Sequence, residues 1–175
     1  MVDSNTINPG PMLKFPNLRH HQVAYVTTDL KEAMRRLEDA FGLDQYFEID
    51  TRDQSDEQAW LKLALVRTAG TEFELIEPLG HLDAVWSDPL PKDGSFAMQF
   101  HHIAATIHGT REDFQRYRDS WDTEKHPIVV DGAVGEDALW FYTDERETLG
   151  HYFEHCWFSD GLTKAMAASV PTLAR

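Results

Sequence analysis

The sequence predicts an α+β protein made of two copies of a β-α-β-β-β unit. First, the chain meets itself at a shift of eighty residues: Gln22 falls on His102, Val23-Ala24 on Ile103-Ala104, Trp60 on Trp140, Gly70 on Gly150, Phe73 on Phe153 and Glu74 on Glu154. Second, alternating β-rich segments and one amphipathic helical stretch recur in the same order on either side of a Pro/Gly-rich middle. Third, a 42% hydrophobic fraction with ten Phe, five Trp and five Tyr provides for a packed core. At 175 residues the chain fits one domain, or two small halves sharing a core.

Taken in order, residues 1–17, with Pro9, Pro11 and Pro16, read as an extended arm. His20 to Thr27 alternates as a strand. Asp29-Leu30-Lys31-Glu32 has the form of a capping box, and Leu30, Ala33, Met34, Leu37 and Phe41 follow at helical spacing until Gly42. Strands are predicted around Tyr46 to Asp50, Ala59 to Arg67 and Thr71 to Glu77, with Gly70 turning the last pair. Pro78 to Ser95 is a linker with a short helical turn. The pattern restarts with a strand from Gln99 to His108 and a helix from Thr110 that carries Phe114, Tyr117 and Trp121 on one face. Strands follow near Ile128 to Val130, Ala138 to Tyr142 and His151 to Phe158, and the tail from Gly161 adds a helix. The resulting divisions are an arm (1–17), a domain over 18–158 with modules at 18–78 and 98–158 around a linker at 79–97, and a tail at 159–175.

Composition narrows the function. A single cysteine, Cys156, supports neither an internal disulfide nor a Cys-rich zinc site, in keeping with a reducing compartment. The formal charge of −14 repels phosphate backbones and anionic membranes, so nucleic acid and membrane surfaces are not expected partners. It also disfavours polyanionic substrates such as coenzyme A thioesters, unless Lys and Arg cluster locally. No apolar run approaches the ~20 residues of a membrane span, and Met1 to Pro11 lacks the features of a secretory signal. The expectation is a cytoplasmic protein with a small-molecule substrate. Phosphate-binding, dinucleotide-binding, nucleophile-elbow and H-E-x-x-H motifs are all missing from the sequence.

Strand alternation places Gln22 with Ala24 and Val26, His102 with Ala104 and Thr106, Glu74 with Glu72 and Ile76, and Glu154 with Tyr152 and Cys156. The opposite faces, with Val23, Tyr25, Phe73, Leu75, Phe153 and Trp157, suit packing against helices. Four repeat-related polar residues thus share the uncovered face, beside two alanines that leave room for a ligand. Glu72 and Glu74 near Glu154 would repel one another unless a cation, a shared proton or solvent compensates.

The segments HQVAYV running into DLKEAM, ELIEPL, FHHIA and LGHYFEH resemble the vicinal oxygen chelate superfamily over about residues 18 to 158. That superfamily includes glyoxalase I, methylmalonyl-CoA epimerase, extradiol dioxygenases and bleomycin resistance proteins. The resemblance implies a cupped eight-stranded mixed sheet of paired βαβββ modules with helices on its outer face, and a divalent metal held by the first and last strands of each module. Carried over by motif, the ligands are Gln22, Glu74, His102 and Glu154, the set the repeat also selects. The resemblance leaves both a homodimer and paired modules closed within one chain open.

His21 sits one residue before the ligand register, and a one-residue shift turns a side chain to the other face. Either Gln22 binds through its amide oxygen, or a bulge brings His21 in, or the first ligand is lost. One imidazole, two carboxylates and an amide suit Mn, Mg, Co, Ni, Fe or Zn. The expected function is a glyoxalase-like isomerase or lyase that abstracts a proton beside a metal-chelated carbonyl, with Glu154 and Glu74 moving protons. Tyr142, Tyr152 and Glu48 are candidate pocket residues. Two alternatives are an extradiol-type iron dioxygenase, which requires His21 at the metal, and a metal-free protein that sequesters a small aromatic ligand. His20, His21 and His101 read as strand-edge or helix-facing residues ahead of ligands, and His151 as unconnected to Glu154.

Overall fold

The computed structural model describes residues 18–53 and 57–173; the expected arm lies outside them. Its elements are β1 (Leu18–Thr27), α1 (Leu30–Phe41), β2 (Phe47–Asp50), β3 (Leu61–Thr68), β4 (Thr71–Pro78), α2 (Ala84–Ser87), β5 (Met98–Ile107), α3 (Arg111–Asp119), β6 (Ile128–Val134), β7 (Ala138–Glu145), β8 (His151–Phe158), α4 (Asp160–Ser169) and β9 (Thr172–Leu173). Eight strands form one curled mixed sheet in the order β2-β3-β4-β1-β5-β8-β7-β6. Within each half the first strand runs parallel to the last, and the halves join where β1 and β5 pair antiparallel.

The repeat survives in this ladder. Ala24 pairs with Glu74 on β4, and Ala104 with Glu154 on β8, each fifty positions further on. It fails in the outer hairpins. Leu65 faces Glu74 across β3–β4, whereas Tyr142 faces Glu154 across β7–β8, an offset of seventy-seven instead of eighty. An odd change reverses which side chains face inward. Trp140 therefore lines the concave side, while Trp60 packs at a tilt against His81 in the linker, ring centres 4.5 Å apart.

Local chemistry explains the helices. Asp29 accepts the backbone N–H of Glu32, which is half of the expected capping box. Glu32 does not reciprocate, because its carboxylate is taken by Arg35 and Arg36 one turn on. Gly42 ends α1 in the left-handed region at φ 64°, where a Cβ is disfavoured. Thr110 and Asp113 complete a full capping box on α3. Leu30, Ala33 and Leu37 of α1 pack on Ala64, Val66 and Leu75, and Phe114 and Tyr117 of α3 pack on Phe141 and Trp157. These contacts cover the convex face and leave the concave one open.

Two segments do more than connect. In the linker, Trp86 of α2 is buried against Tyr142, Ala24 and Tyr152, which closes one end of the trough. The tail crosses from β8 back to the first module. There β9 runs parallel to β3, pairing with Arg67 and Thr68 beyond the end of the short β2, and Arg67 donates to the Met166 carbonyl of α4. Among the described residues no helix is long and apolar enough to cross a membrane.

Beneath α3, His155 stacks on Phe141 at 4.4 Å between the Tyr117 hydroxyl and Thr143. Burial, followed by the neighbouring His126, pushes it down to about 3. It therefore folds neutral, while the unfolded chain takes up a proton below about 6.5. The contribution is full above that value and is lost as pH falls toward about 3. Urea midpoints should fall over this window, and His155→Phe should flatten the fall while costing ~1 kcal/mol near neutrality through the lost hydrogen bonds; an unchanged acid slope would refute the assignment.

Candidate active site

The seam between β1 and β5 brings the site together. Gln22 lies opposite Ala104 and Ala24 opposite His102, with Glu74 and Glu154 on the flanking strands. Ala24 and Ala104 are fully buried at the centre. Having only a methyl group each, they let four longer side chains converge above them. His102 Nε2 stands 3.2 Å from Glu154 and 3.6 Å from Glu74. Gln22 donates to Glu72, which is held in turn by Arg67 at 2.7 Å.

Each central strand also carries a β-bulge, and the two are related by the repeat. The β1–β5 register steps from His20–Ala105 to Gln22–Ala104, passing over His21, and from Ala24–His102 to Tyr25–Phe100, passing over His101. Bulges re-aim side chains. His101 is turned inward, where its Nδ1 meets His102 Nδ1 at 2.8 Å and its Nε2 donates to the Val85 carbonyl at 3.0 Å. His21 instead bonds Thr106 at 2.9 Å and lines a second, smaller cavity with Arg19 and Arg67.

These contacts settle a tautomer. His101 is kept neutral, pushed down to about 3 by burial and then by His102. A neutral ring facing a carbonyl through Nε2 carries its hydrogen there, so its Nδ1 accepts. His102 must donate from Nδ1, and its Nε2 is left as a buried atom with no hydrogen-bond partner, facing two carboxylates. Only positive charge, from a proton or a metal ion, completes that arrangement.

The carboxylates report the same deficit. Glu74 is held well above the ordinary carboxylate range by burial, then by Glu154 and Glu72. Glu72 is raised by burial against the pull of Arg67 and Gln22. Burial, then Glu154 and Glu74, also raises the Tyr142 phenol. Among the described residues no group of three or more His, Cys, Asp or Glu side chains is already placed to hold a metal ion. The donor set nonetheless fits a divalent cation: an orphaned imidazole nitrogen, two carboxylates and an amide surround a buried region short of positive charge.

A cavity of about 550 Å³ opens over the cluster, lined by Gln22, Glu72, Glu74, Tyr142 and Glu154 at its floor. Tyr152 packs behind His101, with Arg146 over its ring at 4.7 Å, and does not reach the cavity lining. Cys156 is buried beside the carboxylates. Glu48 is corrected: it lies on the helix side of β2, paired with Lys31 at 2.8 Å. The bulge at His21, one of the three alternatives, forms, and there His21 bonds Thr106 and not His102. His101 was not expected at the site, and the successive histidines of FHHIA were its only sign.

A half-barrel of paired βαβββ modules with polar residues converging on its concave side defines a vicinal oxygen chelate protein. The chain belongs to the Glyoxalase/Bleomycin resistance protein/Dioxygenase superfamily, whose profile matches residues 21–137. Solved structures share the fold. A hypothetical protein of Bacillus halodurans is 19% identical with a TM-score of 0.55, covering 82% of this chain and 96% of its own. Methylmalonyl-CoA epimerase of Streptomyces coelicolor, in complex with 2-nitronate-propionyl-CoA, is 16% identical with a TM-score of 0.55, covering 81% and 95%. The Mycobacterium tuberculosis epimerase is 17% identical with a TM-score of 0.53, covering 83% and 91%. No curated protein is significantly similar.

The raised Glu74 has a signed consequence for the chelator-treated protein. A folded value above the usual 4.5 means stability is full below that value and is lost as pH rises through the folded value. Glu74→Gln should raise the thermal midpoint more near pH ~8 than near pH ~5. An equal shift at both pH values would argue that Glu74 is not strained by its charge.

Proposed function

We propose that the chain is a divalent-metal-dependent enzyme of the isomerase or epimerase kind that moves a proton beside a substrate carbonyl. The observation that carries this reading is His102 Nε2, buried, without a hydrogen-bond partner and directed at Glu74 and Glu154. Gln22, Glu74, His102 and Glu154 would hold the ion. When bound, it supplies Lewis-acid polarisation of substrate oxygens.

The chain's own residues supply the rest. His101, anchored on the Val85 carbonyl, keeps the His102 lone pair directed inward. Glu74 and Glu154 approach from opposite sides of the seam, on β4 and β8. Each turns Oε2 toward His102, and the Tyr142 hydroxyl also hydrogen-bonds Glu154, which holds that carboxylate in place. Glu154 accepts the proton on its carboxylate, and Glu74, whose burial favours the protonated form, returns one from the other face. Two carboxylates flanking one carbon support epimerisation or isomerisation over hydrolysis.

Two features limit what is carried over from relatives. The acyl-CoA ligand of the Streptomyces coelicolor epimerase is a polyanion, and no Lys, Arg or His is found among the described lining residues. The extradiol alternative wants two histidines, and His21 is committed to Thr106 in the other cavity. Apolar cavity walls favour the ligand-sequestering alternative as the second reading.

Calorimetric titration with Mn, Co, Ni and Zn should give about one ion per chain, lost in His102→Ala and in Glu154→Ala. His101→Phe should keep the fold and weaken binding ~10–100-fold. Ring-nitrogen NMR of the chelator-treated protein should show the His102 hydrogen on Nδ1. Failure to bind any of these ions would sink the metal mechanism and leave the sequestering protein.

A further inference from the structure

We propose that the cavity selects a ligand with a flat apolar body and no negative charge, an uncharged or cationic organic molecule, and discriminates against organic anions. This deepens the enzymatic reading, since it concerns the same cavity, but it does not depend on the metal.

The walls set the shape. One side is aliphatic, from Leu61, Leu63 and Leu65 of β3 and Ile76 of β4, and the other is aromatic, from Trp140 and Tyr142 of β7. Trp140 lies directly on Gly132 of β6: a Cβ there would stand 2.2 Å from the indole. The missing side chain lets the ring lie against the sheet as a wall. Trp86 closes one end, and its buried indole N–H has no hydrogen-bond partner. A slot of about 550 Å³ between aliphatic and aromatic walls suits a planar ring system.

The charges set the sign. Glu57, Glu72, Glu74, Asp131 and Glu154 line the cavity, and no Lys, Arg or His does among the described residues. Two of these carboxylates are neutralised by arginines outside the lining, Glu72 by Arg67 and Asp131 by Arg118, which also puts those cations out of reach of a ligand and leaves Glu57, Glu74 and Glu154 to set the sign. The other basic groups at this end, Arg19, His21 and His108, line the adjoining cavity of about 410 Å³, beyond the shared Glu72, Phe158 and Met166, and not this one. A divalent ion at His102 would offset Glu74 and Glu154 but would leave no cation along the walls to receive a carboxylate, sulfonate or phosphate. Low-dielectric walls strengthen this exclusion.

The test uses the full chain, metal-loaded and chelator-treated, with three flat fluorescent probes: Nile red (uncharged), thioflavin T (cationic) and anilinonaphthalene sulfonate (anionic). Nile red and thioflavin T should bind saturably and quench tryptophan fluorescence, and Trp140→Leu should weaken both. The sulfonate should bind at least ~10-fold more weakly. Glu57→Lys, at an exposed rim position, should narrow that gap without touching the floor. Equal or tighter Trp140-dependent binding of the sulfonate, or no binding of any probe, would overturn the proposal. Probe selectivity without metal uptake would refute the enzymatic reading alone; metal uptake with a preference for the sulfonate would refute this inference alone.

Discussion

The antiparallel seam between β1 and β5 is the constraint on which the site depends. Each central strand is paired on its far side by the last strand of its own module, so one register fixes all four polar positions together. Two alanines at the crossing are a steric condition, because a larger residue at either would occupy the space where His102 and the carboxylates meet. A buried cluster of this composition costs folding free energy through desolvation and mutual repulsion. The interdigitated cores under α1 and α3 are what offset it.

The paired bulges show how one duplicated irregularity acquires two uses. His21 and His101 occupy equivalent places in their strands, and each is displaced from the ladder. In the second module the displaced ring meets the linker backbone and orients its neighbour, while in the first it joins the wall of a different cavity. The linker thereby reaches the histidine pair through the Val85 carbonyl, next to the Trp86 ring that closes the trough.

Much of this was legible in the sequence because it depended on local rules. The strand and helix order followed from periodicity, α1 from Asp29 and Gly42, and the convergence of Gln22, Glu74, His102 and Glu154 from a repeat that the inner strands preserve. What was not legible depended on non-local geometry. His101 enters the site through a bulge, which defeats strict alternation. Glu48 faces Lys31 because its register sets it opposite Ala64, on the face packed under α1, and no spacing announces that. The Trp60–Trp140 match suggested equivalent roles, but the outer hairpin register shifted by an odd number and separated them. Only half of the capping box at Asp29 formed, since Arg35 and Arg36 outcompeted the backbone for Glu32.

The short β9 has a consequence for how the chain emerges during synthesis. Its partner on β3, near Arg67, is made about a hundred residues earlier. Until Thr172 and Leu173 arrive, that stretch of β3 is a free edge, open to pairing with another nascent chain. Arg67, the charged residue of that edge, is drawn to Glu72 and to the Met166 carbonyl of the tail, so the ladder there is covered by pairing and not by charge. The tail thus finishes a surface that the first half of the protein has to guard alone, because translation adds β9 after the eight other described strands.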